Sequence, residues 1–381
     1  MCQVLRQSSN SYDNDELRTE EPCHCSSCAT TAPPRVVSVG DIVTIDLTMT
    51  PENGLVPEPL FDRSGKISFI VGWGNYLPAL HELVQNKAVG DQVQHVSIDA
   101  GWGKRNEDLV MELPKSKLRR FLQKDGSLPP VGTVLKLQGG IQLAVLQVNE
   151  EQQTVIVDAN PPLAGASYDC SFTVLSIDDA LSLEDMPDNN SNKYQISTWA
   201  LGCFWGGELA FMRVPGVVGT RVGYTQGTVS NPTYEDVCTG KTRHREAIMV
   251  VYDSTVVSYN QLMRVALERL AATNPNPSKN SGSNIPEDDD DMFGNLFAEE
   301  DDEQEQDNKT TNQQYRHGFY YHSEEQRSIA QQELNSGNNI YDIELKQAAV
   351  FYQAEETHQQ YLLKGGQSAR KGAKETIRCF G

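Results

Sequence analysis

The sequence predicts a multidomain chain: a mostly-β domain built on a curled antiparallel sheet, then an α+β domain. Three observations carry that prediction. The chain has 381 residues, more than the ~250–300 that one hydrophobic core usually serves. Short runs of alternating apolar and polar residues crowd the first half, with a single helical stretch among them. Beyond a polar linker the pattern changes to strands mixed with capped helices.

Residues 1–37 read as a disordered tail, rich in Ser, Asn, Asp, Glu and Pro and without an apolar period. Within it, Cys23-His24-Cys25-Ser26-Ser27-Cys28 offers thiols and an imidazole to a metal or a redox pair. A structural zinc site usually draws on two separated ligand pairs. No second pair follows, so incidental cysteines in a loose tail are the preferred reading and no metal is expected.

Residues 38–178 form the first domain. Val43-Thr44-Ile45-Asp46-Leu47-Thr48-Met49 alternates as a half-buried strand does. Lys66-Ile67-Ser68-Phe69-Ile70-Val71 and Gln92-Val93-Gln94-His95-Val96-Ser97-Ile98 repeat the pattern. So do Val134-Leu135-Lys136-Leu137, Leu143-Ala144-Val145-Leu146-Gln147-Val148 and Thr154-Val155-Ile156-Val157. Leu77-Pro78-Ala79-Leu80-His81-Glu82-Leu83-Val84 instead places apolar residues at three- and four-residue steps, which predicts one short helix. Many short strands and one helix predict the curled antiparallel sheet.

Residues 179–193 are a linker by composition. In residues 194–381, a strand over 194–201 runs into a helix from about Phe204, and a second apolar strand covers 246–252. Ser258-Tyr259-Asn260-Gln261 and Ser323-Glu324-Glu325-Gln326 have the spacing of capping boxes and predict two more helix starts. About 275–311 the chain is polar and acidic and reads as a disordered surface insertion.

The formal net charge is −20, which argues against nucleic acid as a ligand, because phosphate binding needs a basic field. Twelve acids and no Lys or Arg lie between Glu287 and Asp307, so the folded parts are only mildly acidic. No stretch approaches the ~18 apolar residues of a membrane span. Met1-Cys2-Gln3-Val4-Leu5-Arg6-Gln7 has no apolar run, so no secretory leader is expected. The 8 cysteines are too uneven for a disulfide scaffold. An intracellular, cytoplasmic monomer is the default expectation.

Gly202-Cys203-Phe204-Trp205-Gly206-Gly207-Glu208 falls where a strand hands over to a helix. A thiol there faces unpaired N–H groups and the positive end of the helix dipole, which favours thiolate. Position alone leaves a cysteine buried between strand and helix equally open.

The motif resembles the signature of A-type methionine sulfoxide reductases. The resemblance continues through Asn231-Pro232-Thr233-Tyr234-Glu235-Asp236-Val237-Cys238-Thr239-Gly240, His244-Arg245-Glu246 and Gln314-Tyr315-Arg316. It ends with Phe351-Tyr352-Gln353-Ala354-Glu355-Glu356 and His358-Gln359-Gln360-Tyr361-Leu362. It implies that Cys203 attacks the sulfoxide sulfur while Glu246 supplies protons to the oxygen. Tyr234 and Tyr315 donate hydrogen bonds to the same oxygen, and Phe204 and Trp205 cradle the methyl group. It also implies the S epimer as substrate. A sulfenic acid at Cys203 must then condense with a second thiol. Cys379 is the candidate, on a Gly- and Lys-rich tail, Lys364-Gly365-Gly366-Gln367-Ser368-Ala369-Arg370-Lys371-Gly372, read as flexible enough to swing in. Thioredoxin or another dithiol then restores the enzyme, and no bound cofactor is needed.

The chain departs from that family in several places. Ala373 stands where many relatives have another cysteine, and Thr310 where the family has Asp. Arg243 and Arg245 replace a Gly and a small residue around His244, adding positive charge near the acid. Cys238 is left out of the site as structural.

Residues 38–178 resemble the FKBP-type peptidyl-prolyl isomerases of the bacterial chaperone-like subtype. The matching blocks are Leu60-Phe61-Asp62, Phe69-Ile70-Val71-Gly72 with Gly74 and then Tyr76-Leu77-Pro78, Val89-Gly90-Asp91 and Pro162-Leu163-Ala164-Gly165. The resemblance implies a β subdomain inserted at the flap, about 103–160, and a pocket lined by Phe61, Asp62, Tyr76, Leu77 and Trp102. Trp102 takes the place of a Tyr, and Cys170 that of an aromatic. The combined expectation is a protein-repair enzyme acting on oxidised or unfolded chains. The alternatives are a holdase with an inactive isomerase domain and an impaired redox site, and a thiol acyl-transfer enzyme using Cys203 with His244.

Overall fold

The computed structural model describes residues 34–53, 59–136, 142–179, 193–274, 313–336 and 339–378. The Cys23–Cys28 cluster, the acidic insertion with Thr310, most of the linker and Cys379 lie outside the described residues.

The first sheet forms where the alternation is clearest. Strand β1 (Ile42–Pro51) sends Val43, Ile45, Leu47 and Met49 inward, and β2 (Ser64–Ile70) pairs with it antiparallel. Helix α1 (Pro78–Val84) follows with Pro at its start, where a missing N–H costs nothing. Then come β3 (Gln92–Asp99), β4 (Val110–Pro114), β5 (Val134–Lys136), β6 (Gln142–Asn149), β7 (Thr154–Asp158) and β8 (Ser167–Asp178). The sheet order is β2-β1-β8-β3, all antiparallel. Strand β8 buries Tyr168, Cys170, Phe172 and Val174 on one face. Burial pushes the Cys170 thiol up to about 11, so it packs rather than reacts.

Strands β4 to β7 form a sheet of their own, order β4-β7-β6-β5, with a separate core of Leu118, Leu128, Leu135, Leu143, Val145, Val155 and Val157. Its entry and exit are stapled together. Gly165 N–H donates to the Gly103 carbonyl at 2.9 Å, Arg105 pairs with Asp158, and Asn106 N–H donates to Asn160 Oδ1 at 2.8 Å.

The second half is a six-stranded sheet with helices packed on it. Its elements are β9 (Tyr194–Ala200), α2 (Phe204–Met212), β10 (Val217–Thr225), α3 (Tyr234–Cys238), β11 (Arg245–Asp253), α4 (Tyr259–Thr273), β12 (Gly318–Tyr321), α5 (Glu324–Ser336), β13 (Glu344–Gln347), β14 (Tyr352–Gln353) and α6 (Tyr361–Lys364). The order is β13-β12-β9-β11-β10-β14, antiparallel except for β12 with β13. Trp199, fully buried, stacks on Phe211 and Tyr259 at centroid distances of 5.7 and 5.0 Å. The Ser258 capping box forms as the spacing predicts. The Ser323 box is shifted by one residue. Ser323 Oγ accepts the Gln326 N–H, but Gln326 Oε1 accepts from His322 N–H, because its Nε2 is committed to the Ile196 carbonyl.

The described residues from 35 onward form one compact unit. Leu209 and Met212 of α2 and Leu362, Leu363 and Ala369 join the core of the first sheet, and Ile42 and Ile70 join Ile196, Val218, Met249 and Val251. Buried Asn75 seals the junction, donating Nδ2–H to Thr220 Oγ1 at 3.1 Å and accepting the Thr220 N–H at 3.2 Å. The tail expected to swing freely is tied down. Ala369 N–H donates to the Leu60 carbonyl at 2.7 Å, and Lys371 N–H to Asp62 Oδ2 at 3.0 Å. Composition signalled looseness, but backbone bonds to the first domain override it.

Asn75→Ala should lower the free energy of unfolding by about 1–3 kcal/mol, because it strands the buried Thr220 N–H. Denaturant unfolding followed by tryptophan fluorescence measures it.

Candidate active site

Cys203 sits one residue before α2, with φ −52° and ψ 121°, outside helical geometry. Gly202, at φ 80°, makes the turn from β9 that a side chain would resist. The helix behind it is packed so closely that a Cβ on Gly207 would lie 2.7 Å from Ile248 Cδ1, and one on Gly206 would strike the Arg269 guanidinium.

The next strand but one brings Glu246 to the head of the same helix. Its side chain is 1% exposed, and Oε2 accepts the Phe204 N–H at 3.1 Å. Burial pushes its carboxyl up to about 8, with the Phe204 N–H pulling the other way. It is therefore a carboxylic acid at neutral pH, able to donate a proton. Tyr315, in a 3-10 turn over Gln313–Tyr315, lies close enough for the charges of Glu246 and Cys203 to reinforce the effect of burial. Both raise its phenol above the usual value. Tyr234, at the start of α3, is raised by burial and by Tyr315 and Glu246. Both tyrosines stay neutral donors. The structure thus gathers Cys203, Phe204, Glu246, Tyr234 and Tyr315 at one helix end.

The walls are aromatic. Trp205 stacks on Tyr361 at 4.0 Å and faces His358 at 5.9 Å, while Phe204 lies 5.6 Å and Tyr234 4.5 Å from the same imidazole. Glu355 ties the wall together, accepting Tyr234 N–H and the Tyr224 hydroxyl, each at 2.9 Å. Burial raises its carboxyl, yet its own backbone N–H and these two donors outweigh that and hold it below the ordinary value. The sequence alone assigns Glu355, His358 and Tyr361 no role; the Glu355–His358 spacing beside Tyr361 is the signal that points to them. Cys238 was set aside as structural, yet its thiol is hydrogen-bonded to Tyr234 and so touches the site.

The departures around His244 have local explanations. Arg243 stands at φ 56°, a left-handed conformation that glycine adopts without strain. The positive charge expected near Glu246 is absorbed elsewhere. Arg245 Nε lies 3.3 Å from Glu344 Oε1, and Arg245 NH1 donates to the Arg243 carbonyl at 2.6 Å. The His244 Nε2 atom is engaged with the Val229 carbonyl at 2.7 Å, which commits one of the two nitrogens an acyl-transfer base would need.

A family model for peptide methionine sulfoxide reductase matches residues 195–284 and 291–377. The chloroplastic peptide methionine sulfoxide reductase A4 of Arabidopsis thaliana is 38% identical over 203 residues, spanning 52% of this chain and 68% of that protein. This chain belongs to the peptide methionine sulfoxide reductase family. The chloroplastic A4 reductase of Oryza sativa subsp. japonica is 39% identical over 192 residues, 49% of this chain, and the chain spans only 64% of it. The solved methionine sulfoxide reductase A of Corynebacterium diphtheriae is 27% identical, covers 48% of this chain and 80% of its own, and superposes with a TM-score of 0.33. The family match begins at residue 195, so β1 to β8 lie outside it.

The five residues expected to form an isomerase pocket divide. Phe61 and Tyr76 face a cavity of about 30 Å³ whose far wall is made by the reductase part, including Thr220, Leu363 and Lys371. Leu77 is buried in the core and Trp102 packs against its edge, while Asp62 is bonded to the tail. The expected open pocket is therefore filled, because the two halves share one core across it.

The raised carboxyl of Glu246 makes stability depend on pH. Its folded value lies above its unfolded value, so between about pH 4.5 and 8 the unfolded chain ionises first and stability falls. Glu246→Gln should remove that downward slope. Unfolding midpoints of the two proteins measured across pH 4 to 9 as a difference profile would test it; a flat difference contradicts the assignment.

Proposed function

We propose that the second half reduces methionine S-sulfoxide in proteins, with Cys203 as nucleophile. The observation that carries this reading is the neutral, buried Glu246 at the head of α2, hydrogen-bonded to the N–H of the residue after Cys203 and coupled to the Tyr234 and Tyr315 phenols. A thiolate alone serves many reactions. A thiol beside a proton donor and two hydroxyl donors, inside an aromatic wall, suits a substrate with a polar oxygen on an apolar sulfur.

As the Cys203 sulfur attacks the sulfoxide sulfur, charge builds on the oxygen. Tyr234 and Tyr315 donate to it, and Glu246 transfers its proton. The S–O bond of the substrate breaks, leaving the thioether, and Cys203 becomes a sulfenic acid. The Cys379 thiol then condenses with it, forming the disulfide and releasing water. Thioredoxin or another dithiol, in a reducing intracellular compartment, returns both thiols by exchange. Phe204 and Trp205 take the methyl group and select the epimer.

A second reading covers residues 38–178: a prolyl isomerase of the FKBP type, or a holdase built on that frame. It is supported by the aromatic Phe61 and Tyr76 wall and by the separately cored subdomain inserted after Trp102. Such a domain would present opened chains, whose core sulfoxides are otherwise hidden, to a tethered reductase.

The decisive assay offers each epimer of a methionine sulfoxide peptide with a dithiol. The S epimer should turn over and the R epimer should not, and Cys203→Ser should be inactive. Full turnover by Cys203→Ser would sink the reading. Glu246→Gln should lower single-turnover reduction by about 10²–10⁴-fold, and the wild-type rate should fall as pH rises through about 8. For residues 38–178, proline-limited refolding with and without Tyr76→Ala separates isomerase from holdase.

A further inference from the structure

The Phe61–Tyr76 cavity is filled by the chain's own C-terminal segment, and the way it is filled is informative. Residues 368–371 are held on the first domain by main-chain donors two residues apart. Ala369 N–H reaches the Leu60 carbonyl at 2.7 Å, and Lys371 N–H the Asp62 carboxylate at 3.0 Å. The segment then turns sharply, with Ala373 N–H donating to the Arg370 carbonyl at 3.0 Å and Gly372 at φ 76°. Between those bonds, Ala369 joins the cavity wall opposite Phe61 and Tyr76, where only about 30 Å³ is unfilled. Two positions on, Lys371 Nζ donates to the carbonyls of Met212 at 2.7 Å and Val217 at 2.8 Å.

Arg213 holds the segment from the reductase side. Its Nε donates to the Ser368 carbonyl at 2.8 Å and NH1 to the Glu375 carbonyl at 2.6 Å, while Gly372 N–H donates back to the Arg213 carbonyl at 2.7 Å. Further on, Gln367 closes a loop with Arg378, bonding both its N–H and its carbonyl. Ala369 is the only apolar side chain residues 368–371 place here, and the half-buried Lys371 ammonium is hydrogen-bonded to carbonyls, with the charge of Asp62 only partly offsetting its desolvation. Main-chain bonds with little apolar burial, set against the desolvation of a cation, make a contact that can exchange.

We propose that this cavity is a binding site for a peptide carrying a small residue followed two positions later by a lysine that opens a tight turn, and that residues 368–371 are its resident ligand. An external segment of that type and the tail exclude one another. Displacing the tail also opens the Gln367–Arg378 loop, to which Cys379 is directly joined. From the isomerase reading the inference takes only that the Phe61 and Tyr76 wall receives a polypeptide; it requires no turnover.

The test uses the full chain and a fluorescein-labelled peptide of the sequence of residues 366–374. The double variant Ala369→Arg, Lys371→Glu should undock the tail, and it should bind the probe about tenfold or more tightly than wild type, whose site is already occupied. Adding Asp62→Ala should abolish that gain. Equal binding by wild type and the double variant, or no binding by either, overturns the proposal. A second measurement needs no variant. Hydrogen exchange of wild type should show slowed amides at Ala369 and Lys371 that speed up when excess unlabelled peptide is added. Unprotected amides, or amides indifferent to the peptide, also overturn it. If the double variant binds peptide yet fails to speed proline-limited refolding, the isomerase reading falls and the docking site stands. If refolding is accelerated while the amides are unprotected, the reverse holds.

Discussion

The structure depends on α2 being buried on nearly every side. Seven of its nine residues are buried, with Trp205 and Ala210 partly so. A helix with no solvent face must be enclosed by partners on all sides. The six-stranded sheet and α4 take one side, through Phe211, Gly206 and Gly207. The first sheet's core takes another, through Leu209 and Met212. The catalytic head is what remains. Placing Cys203 there fixes its direction, because the helix cannot roll or slide without breaking one of the two cores.

Two buried carboxyls on this helix and at its head show how one environment serves different ends. Glu246 meets a helix N–H and two phenols and is pushed up to about 8. Glu208, five residues after Cys203, accepts the Thr220 hydroxyl and the Gln360 N–H and is pushed up to about 7. Burial is the largest cause for both. The first lies at the head of α2, bonded to the residue after Cys203; the second lies on the Asn75–Thr220 junction that joins the halves. The motif Gly-Cys-Phe-Trp-Gly-x-Glu thus places the proposed nucleophile and a buried joint in one stretch.

Much of this was legible in the residues. Alternation located β1, β2, β3, β6 and β7, and the capping box at Ser258 located α4. The Cys203 motif with Glu246, Tyr234 and Tyr315 pointed to residues that the fold gathers at one helix end, because they are spaced in recognisable blocks. Long-range docking was not legible. Asp62 and Lys371 are 309 positions apart, and nothing in Gly-Gly-Gln-Ser-Ala-Arg-Lys-Gly announces a partner for its backbone. Main-chain hydrogen bonds carry no side-chain signature. Nor could sequence separate Glu355, which organises Tyr224 and Tyr234, from its exposed neighbour Glu356. Strand β8 hid because polar Asp169, Ser171 and Thr173 share it with buried residues on the other face.

The stapled neck of the inserted sheet has an evolutionary consequence. Gly103 with Gly165, Arg105 with Asp158 and Asn106 with Asn160 hold its two ends side by side. The cost of closing a long loop grows only slowly with its length, and here the host scaffold already holds the ends together. The subdomain, with its private core, behaves as a cassette. It can be lengthened, exchanged or deleted while the strands that frame it keep their register, so this part of the molecule is free to diversify while the sheets it adjoins stay fixed.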